Sequence, residues 1–395
     1  MNQTFSSIQL FKLCKKTEQI ESELSKEELL NQLEITVQTI NNDTFEFNLK
    51  QVNDYILTDK LSDRLILRKL NDNLRRLYKD QQSNRRIIIS QIKTLLEETC
   101  TAWLLKTDIK KFYESINRPR LVEKLQTDPL LSYQSIKLLK KLFDNPLIAP
   151  QTGLLRGLAI SATLSELYMR KFDKWIRQFP GVYYYARYVD DIIIFANSKN
   201  TILELKNQLN PQLKTLAEGL VVNDSKTREY DINNIPESNP LEYLGYKFTV
   251  NKIKKNEKSL VISIADKKVK KIKTRIILAF LNFLKSKDFE LLKVRMKFLT
   301  GNYSIRKSTS GNDLKAGIYY NYLNVTNLKV FDALNLFYQK VIFSKRHSFG
   351  RRISSELTTD QKIILSKFSF KHGFTNKTYF SFLPSDVNKI KSCWK

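Results

Sequence analysis

The chain is poor in the residues that most compact metal centres and covalent active sites use. Its three cysteines, Cys14, Cys100 and Cys393, are scattered over 395 residues, without zinc-site spacing or a disulfide framework. That usage fits a reducing compartment. Two histidines, His347 and His372, nearly exclude a histidine-based metal centre or a Ser-His-Asp triad. Ten Gly and nine Pro leave little material for flexible linkers, so a compact chain is expected rather than a string of modules. No apolar run approaches the length of a membrane span. The first residues also lack the charged-then-apolar layout of a secretory signal. A cytoplasmic protein with no membrane partner is the expectation.

Negative charge is scarce as well. Asp and Glu number 40 against 67 Lys and Arg, a formal net charge of +27 and a pI of about 9.7. A polyanion is the natural partner of such a surface, and nucleic acid is the commonest one. The hydrophobic content of 42% is ordinary, and the length supports a sizeable core in two or three subdomains. The 18 Tyr and 23 Phe suit core packing, with base and sugar stacking as a further use.

Along the chain, helical periodicity is expected near Leu24–Leu33, and a short strand over Thr44–Leu49. Leu65, Leu67, Leu70, Leu74 and Leu77 recur at helical spacing within residues 61–99. Residues 102–109 read as a strand ending in an aspartate, 120–143 as helical, and 153–169 as a glycine-containing loop entering a helix. Residues 201–218 read as helix and 241–264 as short strands. From Asp266 on, the pattern is helical and very basic, opening with Lys267, Lys268, Lys270, Lys271, Lys273 and Arg275.

The most informative segment is 183–196, where Asp190 and Asp191 lie between two apolar runs rich in Tyr, Val, Ile and Phe. Such flanks read as strands, which makes the aspartate pair a hairpin turn. Adjacent carboxylates held near a core are costly unless a cation sits between them. Asp108 ends an earlier strand, and the element order lets the two strands lie side by side with all three carboxylates at one end. Three such carboxylates can hold two Mg²⁺ ions roughly 3.5–4 Å apart, the arrangement used for in-line phosphoryl displacement.

With those residues in place, the chain resembles a reverse transcriptase, a member of the right-handed palm polymerases. Thr107–Ile116 resembles the first catalytic motif, and the resemblance implies metal ligation by Asp108 and Ile109 together with Asp190 and Asp191. Tyr113 matches the residue beneath the incoming sugar that rejects a 2′-hydroxyl. Tyr188-Val189-Asp190-Asp191 matches the signature hairpin. Gly219–Thr227 resembles the next motif, with Lys226 as proton donor to pyrophosphate. Tyr243, Leu244, Gly245 and Tyr246 resemble the primer-gripping turn. Arg85 and Arg86 fall where a clamp on the triphosphate is expected.

One motif departs from the family. Residues 154–162 keep Gly157 and Ser161, while Leu155 and Arg156 replace Pro-Gln and Ala162 replaces a second Pro. Arg156 offers a bidentate phosphate contact that Gln does not. Together with Leu299–Tyr303 and Gly317–Tyr322, this resembles the bacterial branch associated with abortive infection and phage defence. The resemblance implies an α+β palm–fingers–thumb polymerase with an antiparallel palm sheet and an all-helical basic thumb. Its expected divisions are 1–100 fingers, 101–118 first palm strand, 119–150 fingers and palm helices, 151–250 palm, and 251–395 thumb. The implied cofactor is Mg²⁺, as two ions, with Mn²⁺ as substitute. The implied partners are an RNA template, including a structured non-coding RNA, a DNA product and dNTPs. A second polymerase or effector protein, or a second copy of the chain, is a further implied partner. Template-independent or protein-primed synthesis, and a catalytically silent RNA-binding subunit, are the competing expectations.

Overall fold

A computed structural model of the chain describes residues 2–79, 83–100, 102–254, 257–306, 313–346 and 348–394. The fold divides into two compact units. One comprises Met1–Ile88 and Cys100–Ile232, the other Ile89–Thr99 and Asn233–Lys395.

In the first unit, β1 (Leu49–Val52) and β2 (Tyr55–Thr58) form a small antiparallel hairpin. A four-stranded antiparallel sheet follows, built from β3 (Trp103–Asp108), β4 (Val182–Tyr188), β5 (Asp191–Ala196) and β6 (Arg228–Asp231). Its spatial order is β4-β5-β3-β6. β5 is an Ile-rich run whose residues Ile192 to Ala196 are all fully buried, so both of its faces are covered. The helices Ala159–Arg177 and Lys199–Leu216 pack on this sheet. Burial of each such Ile or Phe is worth about 1.5–3 kcal/mol, which anchors the strand that begins at Asp191.

The second unit opens with a three-stranded antiparallel sheet of β7 (Leu241–Tyr243), β8 (Tyr246–Lys254) and β9 (Glu257–Ile264). Helices then dominate, led by the long basic Asp266–Ser286. The region 251–395 is not all helical, however. It holds β9 and a further hairpin, β10 (Asn302–Arg306) with β11 (Asp313–Gly317). The Leu260–Ile264 run is rich in β-branched residues and pairs with β8, which overrides helix formation there.

Two other local expectations are corrected. Residues 120–143 form two helices, Arg118–Thr127 and Tyr133–Phe143. Pro129 disfavours helical backbone at Asp128, which is extended. Residues 44–48 are irregular, and the strand starts only at Leu49. There Phe45 and Phe47 are buried as core rings, and the Asn48 N–H donates to the Asp63 carboxylate at 2.6 Å instead of to a strand.

Candidate active site

The register of β3 and β5 sets Asp108 directly opposite Asp191. Side chains of such a pair share one face of the sheet and lie within a few ångströms, where like charges repel. β4 and β5 are joined by the two residues Val189 and Asp190, closing on the pair Tyr188↔Asp191. Ile109 is buried, and its N–H donates to the Asp190 carbonyl at 3.2 Å. The Asn223 N–H donates to the Asp108 carbonyl at 2.8 Å, and the buried hydroxyls of Thr107 and Thr227 bond at 2.7 Å. These links bring the segment carrying Lys226 against the end of β3.

The electrostatics follow from that crowding. Burial, then repulsion from Asp108, raises the Asp190 carboxyl above its ordinary value. Burial and the Asp190 charge push Asp191 up to about 6. The Lys226 ammonium sits on Asp108 Oδ2, and that contact raises the lysine's own pKa. Asp108 Oδ1 is buried and has no hydrogen-bond partner among the described residues.

Among the described residues, no three of His, Cys, Asp or Glu are gathered tightly enough to hold an ion as they stand. Lys226 supplies the positive charge on Asp108 in this state. The donor set still fits a hard divalent cation: oxygen-only, acidic, mutually repelling, and with one orphaned buried carboxylate oxygen. Asp108, Asp190 and Asp191 are the side chains that would hold it.

Beside Asp190 opens a cavity of about 380 Å³, lined by Tyr55, Tyr113, Arg156, Gly157, Ser161 and Val189 among others. Phe112 is buried, while Tyr113 is half-buried on the cavity wall. Residues 110–115, which carry both rings, form turns. Burial raises the Tyr113 phenol, which bonds to the Ser165 hydroxyl. Arg156 Nη2 pairs with Glu114 Oε1 at 3.1 Å on the cavity rim. Gly157 has φ of +101°, and a Cβ there would lie 2.4 Å from the Ile56 carbonyl oxygen. The glycine is therefore what lets β2 approach so closely. The Ile56 N–H donates to the Arg156 carbonyl at 2.9 Å, fastening the β1–β2 hairpin at the cavity.

The remaining expected site residues stand on other elements. Arg85 and Arg86 open the helix Arg85–Glu97, and neither lines the cavity. Tyr243, Leu244, Gly245 and Tyr246 form the two-residue turn between β7 and β8. Leu244 and Gly245 both have positive φ, 46° and 84°, the pattern of a tight type I′ hairpin. Tyr243 and Tyr246 are buried, so the turn presents backbone rather than rings. Sequence reading passed over Tyr55, Glu114 and a buried charge cluster of Arg187, Glu166 and Asp173. A signal for the cluster existed: two acids seven residues apart on an apolar helix, and an arginine inside a core strand.

A palm-type sheet with carboxylates at one strand end and a cavity beside them is the class of site this unit carries. The profile of the reverse transcriptase (RNA-dependent DNA polymerase) family matches residues 26–248, more than half of the chain, and the chain belongs to that family. Solved structures similar to it include apo telomerase from Candida tropicalis truncated from its C-terminal domain. That pair shares 18% identity with a TM-score of 0.35, covering 50% of this chain and 44% of that one. Apo telomerase from Candida tropicalis matches at 14% identity and TM-score 0.39, covering 83% and 58%. Telomerase from Candida albicans in complex with a TWJ fragment of telomeric RNA matches at 13% and 0.36, covering 83% and 53%. The chain thus spans about half the length of these structures. No curated protein matches it.

Proposed function

We propose that this chain is an RNA-directed DNA polymerase that adds deoxynucleotides to a 3′ end with divalent metal, Mg²⁺ first and Mn²⁺ as substitute. The observation carrying this reading is the Asp108↔Asp191 register with Asp190 in the adjoining turn, at the edge of a 380 Å³ cavity. Asp108, Asp190 and Asp191 would hold that metal, and it would supply charge neutralisation for the transferred phosphate and a lowered pKa for the attacking hydroxyl. Tyr113 takes the position beneath the sugar. Arg156, released from Glu114, meets the triphosphate. Lys226 leaves Asp108 to donate a proton to pyrophosphate. The basic surplus of +27 serves RNA template and DNA product. The setting we propose is bacterial antiviral defence in the cytoplasm, supported by the likeness of 154–162, 299–303 and 317–322 to the abortive-infection branch.

The test is extension of a 3′ end by purified protein, one dNTP at a time, with and without nuclease-treated RNA. Template-dependent products from the wild type, absent from Asp190→Asn with nucleic-acid binding retained, are the expected result. Synthesis by Asp190→Asn at the wild-type rate would remove the metal assignment. Untemplated or protein-primed synthesis is the second reading, favoured by Arg156 standing where the family has Gln and pairing with Glu114. Products that survive removal of RNA would select it.

A further inference from the structure

The Val189–Asp190 turn is a strained object. Of its two central residues only Val189 has positive φ, at 61°. A two-residue hairpin with positive φ at the first position alone is the type II′ pattern, which favours Gly there. A β-branched side chain in that conformation persists only where surrounding structure over-determines it.

The over-determination comes from Arg187, two residues earlier on β4. Its Nη1 donates to the Val189 carbonyl at 2.9 Å. Nε and Nη2 donate to the two Asp173 carboxylate oxygens at 2.9 and 2.7 Å. Nη1 and Nη2 also donate to the two Glu166 oxygens at 3.2 and 2.8 Å. All five guanidinium N–H groups are thereby engaged, on a side chain only 2% exposed. The Tyr185 hydroxyl closes the network by donating to Asp173 Oδ1 at 2.6 Å. Glu166 and Asp173 both belong to the helix Ala159–Arg177, two turns apart on one face. The network therefore runs from a packed helix through a planar fork to the carbonyl preceding Asp190.

We propose that Arg187 is a positioning residue: it pins the strained turn that carries Asp190, and so sets the affinity of the carboxylates for divalent metal. The two carboxylates outweigh its single positive charge, so it brings Asp190 no net attraction and its influence there is geometric. Lysine does not replace it, because one ammonium cannot span two carboxylates and a backbone carbonyl with the same fixed fork. The metal half of this proposal rests on the polymerase reading; the pinning half does not.

The experiment is a double-mutant cycle of Arg187→Lys and Val189→Gly, read by Mn²⁺ binding in electron paramagnetic resonance titrations and by thermal melting in EDTA. Arg187→Lys is expected to weaken Mn²⁺ binding about tenfold, the scale of loss when a residue orienting metal ligands is removed. Val189→Gly, which relieves the strain, should restore that variant to within about threefold of wild type. The two changes should also be non-additive in melting temperature. Should Arg187→Lys fail to fold, Glu166→Gln loosens the same clamp from its anchor and carries the same expectation. Wild-type Mn²⁺ affinity in Arg187→Lys, or strict additivity with Val189→Gly, overturns the proposal. Wild-type protein that binds no Mn²⁺ yet keeps the melting coupling counts against the polymerase reading alone and supports the pinning.

Discussion

The ammonium of Lys226 rests on the carboxylate of Asp108, a residue 118 positions earlier in the chain. One group is the proposed proton donor and the other a proposed metal ligand, so the contact is exclusive of both roles. A cation arriving at Asp108 has to displace the lysine, and a lysine held there is a weaker acid because the contact raises its pKa. Lys226→Ala should therefore separate two effects. Turnover should fall about 10²-fold or more, as for loss of a general acid. The half-saturating Mg²⁺ concentration should fall as well, because the competing charge is gone. Primer-extension rates across a Mg²⁺ series check both, and an unchanged or higher Mg²⁺ requirement would refute the competition.

A second prediction concerns acid stability and lies away from the site. Glu18 is buried against the helix Leu61–Tyr78, paired with Arg68 Nη2 at 2.5 Å and Arg64 Nη1 at 3.2 Å. Burial alone would raise its carboxyl, but the bonds from Arg68, the Lys15 N–H and Arg64 outweigh that and lower it to about 2. A depressed folded-state pKa means that the stabilisation is complete above the ordinary value of 4.5 and is lost as pH falls through about 2. Glu18→Gln should cost about 1–3 kcal/mol at pH 7, less than a fully buried pair because both arginines are part-exposed. The deficit should shrink as pH falls below 4.5 and vanish only below about pH 2. Urea melts at several pH values measure it, and a pH-independent deficit would mean that packing, not charge, is what Glu18 supplies.

The carboxylate-bearing end of the sheet was legible because its information is local. Ile192 to Phe195 between two turns can only be a core strand, and a strand of that kind fixes the face on which Asp191 stands. Asp108 at the end of another apolar run then had one place to go. The Arg187 clamp was not legible in that way. Its partners lie 14 and 21 residues off on a helix, and only the packed helix–sheet angle brings them together. Tyr55 was missed for a related reason: a lone ring in a polar hairpin carries no periodic signal, and what makes it a cavity wall is the Ile56–Arg156 backbone bond. The break at Pro129 was readable from residue chemistry alone.

Tyr113 tests the sugar-gate assignment. Its ring stands half-buried on the cavity wall, with the phenol tied to Ser165 and Asp190 close enough to act on it electrostatically. A fixed ring at that position excludes an added hydroxyl by contact alone. Tyr113→Ala should lower discrimination between dNTP and rNTP by about 10–100-fold, the range available to steric selection in a pocket. Paired kcat/KM values for dCTP and rCTP decide it. Equal discrimination in the variant would take Tyr113 out of the gate and leave it as a packing residue against Phe112.

Gly157 tests whether the β1–β2 hairpin is part of the nucleotide site. With φ at +101° and the Ile56 carbonyl 2.4 Å from a would-be Cβ, alanine has to move backbone rather than a flexible side chain. Gly157→Ala should cost about 1–3 kcal/mol in stability from the conformation alone. It should also displace Tyr55, and so raise KM for dNTP more than it lowers kcat. Gly219→Ala is the control: its conformation is ordinary, and its nearest neighbour, the Ser115 side chain, lies 3.6 Å from the added carbon, so stability and KM should both hold. If Gly157→Ala destabilises the protein yet leaves KM where it was, the hairpin is scaffold, and Tyr55 does not touch the nucleotide.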